Sequence, residues 1–95
     1  MNFNYMKDFI KVVEYKSLNK ASRELNISTP ALSKRIRSIE DYFDCNLFYR
    51  TSKGIFLTQK GNAVYHSFLK INEQFEELKS KISESKDKRI KLGVI

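Results

Sequence analysis

The segment Ser17–Phe43, SLNKASRELNISTPALSKRIRSIEDYF, decides how this chain reads. It holds two short helical patterns separated by a few polar residues. In the second, Leu32, Ile36, Ile39 and Phe43 recur at the 4, 3, 4 spacing of a single buried stripe. At about 100° per residue, Pro30, Lys34, Arg37 and Asp41 fall nearly opposite that stripe, with Ser33 on its flank. Ser28 is placed to cap this helix, and Pro30 suits a first turn where no amide donor is needed. Arg35 lies nearer the buried side, so it is expected to snorkel or to pair with Glu24 or Glu40. The helix is therefore held by one face and carries cations and hydroxyls on the other.

Upstream, Met6, Phe9, Ile10 and Val13 predict an amphipathic helix over residues 3–16. Asn19 is expected to cap a short helix of about Lys20 to Leu25, in which the small Ala21 lets a neighbouring helix approach closely. Ile27 would plug the tight connection that follows. Downstream, Leu47–Arg50 and Ile55–Leu57 are β-prone segments around Thr51-Ser52-Lys53-Gly54, a hairpin with Arg50 and Lys53 near its tip. Thr58 would cap a long helix whose Val64, Phe68, Ile71, Phe75, Leu78 and Ile82 form an unbroken heptad seam. A stripe that narrow and regular predicts pairing with a second copy. Residues 83–89, SESKDKR, read as a linker, and IKLGVI at the end alternates like a strand that needs partners from elsewhere. The expected organisation is a helical unit closed by the hairpin over 1–58, a linker and dimerisation helix over 59–86, and at 87–95 the start of a truncated further domain.

The 95 residues carry eighteen Lys and Arg against eleven Asp and Glu, a net charge of +7. Residues 1–60 hold +5 of it. Such a field attracts polyanions, nucleic acid above all and acidic membranes less so. Cys45 is the only cysteine, which excludes an internal disulfide and a cysteine-based zinc site. No run approaches the ~20 apolar residues of a membrane span, and Lys7, Asp8 and Lys11 interrupt the N-terminus where a signal peptide needs an apolar block. A cytoplasmic location is expected, with no membrane partner. Enzyme readings fail on inventory. The three glycines stand apart, at 54, 61 and 93, so no phosphate loop is present. His66 is the only histidine and has no second ligand at metal-binding spacing. Glu40, Asp41 and Asp44 read as a solvated helix end rather than an acid–base pair. Neither catalytic residues nor a metal site is expected.

What remains is a helix, a short helix, a tight turn, a basic-faced helix and a basic-tipped hairpin. An α-helix fits the DNA major groove, where its first turns reach base edges. Its N-terminus points amide donors at phosphate. In a helix-turn-helix the shorter helix crosses the backbone while the second inserts. The expected fold is mainly α: a winged helix-turn-helix, with a three-helix core and a two-stranded β wing, followed by the long helix. A scaffold module with non-specific DNA affinity is the alternative from another class.

These residues also resemble a family. The initial helix with Phe9, then SLNKAS-REL, S-TPALSKRI with IE following, LFYRT and LTQKG match the N-terminal DNA-binding domain of LysR-type transcriptional regulators. The final IKLGVI is similar to the opening strand of that family's effector-binding domain. ModE-type molybdate regulators share a similar DNA-binding domain and stay open as a second reading. The resemblance implies a homodimer through the long helix, paired antiparallel, and higher assembly in full-length members. It implies binding to interrupted palindromes in double-stranded DNA, controlled by a small-molecule inducer held in a C-terminal domain not included here. By position it assigns Ser28, Thr29, Pro30, Ser33, Lys34 and Arg37 to the recognition helix. Arg50, Thr51 and Lys53 fall on the wing, and Ser22 and Ser28 stand where phosphate contacts are expected. Two positions depart from the family pattern: Thr29 stands where Gln is common, and Ser22 where a second alanine is frequent.

Overall fold

The computed structural model describes residues 2–92, with side-chain detail through residue 83. The element order is α1 (Phe3–Tyr15), α2 (Leu18–Leu25), α3 (Thr29–Phe43), β1 (Phe48–Thr51), β2 (Gly54–Leu57) and α4 (Gln59–Leu92). This is the expected winged helix-turn-helix with a long helix appended.

Local chemistry sets each boundary. Asn2 caps α1 by accepting from the Asn4 amide at 2.8 Å. Lys16 closes the helix in a left-handed conformation, φ 53°, with its N–H on the Val12 carbonyl. Asn26 (φ 59°) and Asp44 (φ 53°) end α2 and α3 in the same way. None of these three caps is a glycine, so each accepts some backbone strain. Ser28 caps α3 as expected, accepting from Ala31 N–H at 3.2 Å, with Pro30 in the first turn.

The expected cap of α2 is corrected. Ser17 accepts from Lys20 N–H at 3.2 Å, the helix begins at Leu18, and Asn19 lies inside its first turn. The chain needs only Lys16 and Ser17 to turn the corner, because Lys16 is left-handed and Ser17 extended (φ −159°).

Met6, Phe9, Ile10 and Val12 of α1 meet Ala21 of α2, Leu32, Ile36 and Ile39 of α3, Leu47, Ile55 and Phe68 of α4 in one buried cluster. Ala21 is fully buried, consistent with close approach of α2 to its neighbours. The Phe9 ring lies 5.1 Å from Phe48 and 5.5 Å from Phe68, so one side chain joins α1 to the wing and to α4. Phe43, expected to end the buried stripe of α3, is 40% exposed, its ring 6.2 Å from Phe68 at the edge of the core.

Arg35 pairs with neither Glu24 nor Glu40. Its guanidinium reaches Asp8 on α1 at 2.9 Å and lies over the Tyr5 ring. Packing of α3 on α1 brings the buried Asp8 within reach, and Glu40 is committed elsewhere, accepting from Leu47 N–H at 2.8 Å.

The wing is an antiparallel pair with Phe48 opposite Leu57 and Thr51 opposite Gly54. Gly54 has φ +139°, a region side chains disfavour, and a Cβ there would lie 3.3 Å from the Lys16 carbonyl. The hairpin turn thus rests on the end of α1. At its other end Thr58 starts α4 by accepting from Gly61 N–H at 3.0 Å while donating to the Asn46 carbonyl at 2.6 Å. A Cβ on Gly61 would overlap the Leu47 carbonyl, so the glycine is what lets α4 lie against the strand entry.

The long helix runs past residue 86, through the expected linker at 83–89 and into the expected strand as far as Leu92. Residues 83–92 contain neither glycine nor proline, so nothing local ends the helix, and a strand there has no partner. The remainder of that expected strand, 93–95, lies outside the described residues. Within the described residues no helix is long and apolar enough to cross a membrane.

Two stability effects follow from this packing. Gly61→Ala should cost about 1–3 kcal/mol, because the added methyl must force α4 off the Leu47 carbonyl. Asp8→Ala should cost about 1–3 kcal/mol by leaving the partly exposed Arg35 without its charged acceptor. Thermal melts of each variant measure both losses, and an unchanged melting temperature would contradict the contact concerned.

Candidate nucleic-acid interface

The outer surface of α3 is built as its periodicity dictates. Pro30, Lys34, Arg37 and Asp41 are exposed, Ser33 is half-buried on the flank, and Leu32, Ile36 and Ile39 face inward. Ser28 stands exposed at the helix start.

Two clefts border this surface. The larger, about 610 Å³, is walled on one side by Lys16, Ser17, Asn19, Lys20 and Thr29 and on the other by the wing residues Arg50, Thr51 and Lys53. A narrower one brings Arg50 beside Ser33 and Arg37. Arg50 lines both, so the wing cation expected near the hairpin tip also reaches the flank of α3. The fold therefore gathers Thr29, Ser33, Arg37, Arg50, Thr51 and Lys53 along one side, with Ser28, Pro30 and Lys34 exposed at the front of α3.

Lys16 and Lys20 belong to the same wall, and the sequence reading missed them. Lys16 directly precedes Ser17, the serine that caps α2, and Lys20 is the residue whose N–H donates to that serine, so the cap position itself is the sequence signal for both.

Pairing divides the cations into two populations. Lys7 meets Glu76 at 3.4 Å, Lys11 meets Glu14 at 3.7 Å, Lys79 meets Glu76 at 3.6 Å, and Arg35 meets Asp8. All of these lie on α1, on α4 or behind α3. Among the described residues no carboxylate comes within salt-bridge distance of Lys16, Lys20, Lys34, Arg37, Arg50 or Lys53. The far end of α3 differs. There Arg37 shares a cleft with Glu40, Asp41 and Asp44, which would repel a polyanion. The first two turns of α3, the start of α2 and the wing thus present cations without a carboxylate partner, as do Arg23 on α2 and Lys60, Lys70 and Lys81 on α4 among the described residues.

Ser22, assigned by position to a phosphate contact, is buried and unavailable for one. Its hydroxyl donates to the Asn19 carbonyl at 2.8 Å and lies 3.0 Å from the Thr29 hydroxyl. The small α2 residue that faces α3 must sit inside, whatever its polarity.

The heptad seam is also divided. Val64 packs against the core and Phe68 is within it, 4% exposed. Phe75 is half-covered by Phe3 of α1, ring centroids 4.6 Å apart, with Lys7 and Lys79 near its faces. Ile71, Leu78 and Ile82 remain 44%, 52% and 50% exposed. The first half of α4 thus completes its own domain, contrary to the expectation that the whole seam faces a partner, because α1 lies along it.

Residues 3–62 match the family model for the bacterial regulatory helix-turn-helix protein, lysR family. The chain belongs to the lysR family. The nitrogen assimilation regulatory protein nac of Klebsiella aerogenes is 35% identical over 77 residues, which cover 81% of this chain and 25% of that protein. An uncharacterized HTH-type transcriptional regulator of Methanocaldococcus jannaschii is 37% identical over 76 residues, 80% of this chain and 26% of the relative. The chain thus spans about a quarter of the length of these curated relatives. A crystal structure of a BenM_DBD/catB site 1 DNA complex superposes with a TM-score of 0.84 at 27% identity, covering 88% of this chain and 94% of that one. As a member of the lysR family the chain carries the DNA-binding winged helix-turn-helix of transcriptional regulators, the fold and the resemblance read from its motifs.

Proposed function

We propose that this chain is the sequence-specific DNA-reading part of a LysR-type transcriptional regulator. It inserts the first turns of α3 into the major groove and lays the wing on the adjacent backbone or minor groove. The observation that carries this is the gathering of Lys16, Lys20, Lys34, Arg37, Arg50 and Lys53 around the front of α3 and the wing, none of them within salt-bridge distance of a carboxylate among the described residues. An unpaired cation is free to release counterions from a duplex on binding. A scaffold module would have no need to keep these charges apart. No catalytic role falls to any residue in this reading.

The protein works as a homodimer in this proposal, joined through Ile71, Leu78 and Ile82 with the open edge of Phe75, and the full-length protein assembles further. Its operator is an interrupted palindrome, as two copies of one reading unit require. A small-molecule inducer binds a C-terminal domain not included here, and the protein acts in the cytoplasm.

Selection from a random duplex library at physiological salt tests the reading as a whole. An enriched palindrome supports it, and equal recovery of all sequences points to non-specific binding. Lys34→Ala and Arg50→Ala should weaken binding to all duplexes alike and flatten the salt dependence by about one unit each in log–log slope. Ser33→Ala should instead reduce discrimination between related sites, by less than the ~1–3 kcal/mol of a bidentate contact. Leu78→Asp should shift sedimentation toward monomer while leaving the melting temperature of the winged domain unchanged. Phe68→Asp should unfold it, since its carboxylate would lie in the core.

A further inference from the structure

The start of α3 is tied to α2 by three polar side chains: Ser22, which is buried, and Asn19 and Thr29, which stand at the edge of the larger cleft. Ser22 Oγ lies 2.8 Å from the Asn19 carbonyl oxygen and 3.0 Å from Thr29 Oγ1, and Thr29 Oγ1 lies 3.0 Å from the Asn19 side-chain amide. Ser22 is 3% exposed and Thr29 is half-buried.

Two hydroxyl protons must serve three contacts. With Asn19 Oδ1 facing Thr29, Thr29 donates to it, Ser22 donates to the Asn19 carbonyl, and the two hydroxyl oxygens meet without a proton between them. Turning the Asn19 amide end for end removes the conflict, since the oxygen and nitrogen positions are interchangeable in shape. The amide N–H then donates to Thr29, Thr29 to Ser22, and Ser22 to the Asn19 carbonyl. In both settings the Thr29 proton is engaged by a residue of α2, Asn19 or Ser22.

We infer that Thr29 is a positioning residue: its hydroxyl, bracketed by Asn19 and Ser22, fixes α3 against α2 and does not read a base. The inference rests on the DNA-binding reading above. Sequence discrimination then falls to Ser33 and to side chains further along the open face. Removing the Thr29 hydroxyl alters how firmly the reading helix is held, not which base it prefers.

The test uses the chain as it stands and a duplex recovered from the library selection, with single base-pair changes made across the half-site. Thr29→Val keeps the shape and removes the hydroxyl. It should weaken binding about three- to tenfold on every duplex, with the order of preference unchanged. Thr29→Ser, which keeps the hydroxyl, should restore most of that loss. Ser22→Ala should resemble Thr29→Val, and the double variant should lose no more than the worse single one, because both remove one shared bracket. Melting temperatures should show the same non-additivity. A changed preference at one base pair in Thr29→Val, or strictly additive losses, would overturn the inference and leave the DNA-binding reading intact. Absence of any duplex binding by the unsubstituted chain would overturn that reading and the inference together.

Discussion

The Phe9 ring has no access to solvent and touches aromatic side chains from both ends of the fold. Through Phe48 it fixes the wing and through Phe68 it fixes the long helix, while its own helix carries the Asp8 carboxylate that holds α3 from behind. A domain of this size has little core to spare, so a single buried aromatic shared by several elements carries a large part of the cohesion. The orientation of the exposed face of α3 is set from inside. Leu32, Ile36 and Ile39 press it on the core, and Arg35 locks its rotation against α1.

With α3 fixed in rotation, the placement of charge follows from which elements supply carboxylates. Glu14 of α1 and Glu76 of α4 sit where they meet nearby lysines, Asp8 of α1 meets Arg35, and the carboxylates at the end of α3 gather around its C-terminal turn. The start of α2, the front of α3 and the wing receive none within salt-bridge distance among the described residues.

Much of this was legible in the chain itself. The stripe of α3 as far as Ile39, its Ser28 cap and Pro30, and the turn at Gly54 are local signals with local causes, and the structure follows them, while Phe43 at the end of the stripe stays 40% exposed. What the sequence hid depends on tertiary neighbours. Arg35 gave its direction but not its partner, because Asp8 is 27 residues away. The heptad seam could not reveal that α1 covers its first half, since a stripe looks the same whether it meets its own core or another chain. The departures from the family pattern at Ser22 and Thr29 looked independent in the sequence; in three dimensions they touch, 3.0 Å apart. Thr29, read as a base-facing residue, has its hydroxyl turned toward α2, which only the packing of two helices could disclose.

The α4 backbone is helical without interruption from Gln59 to Leu92, and its root is clamped by Gly61, Val64 and Phe68. At ~1.5 Å per residue such a rod extends roughly 50 Å. Mechanically it is a lever whose fulcrum is the aromatic core: a tilt of about 5° at the root sweeps the far end by roughly 4 Å on that arm. A displacement of a few ångströms at the far end thus corresponds to a very small angular displacement of the winged head.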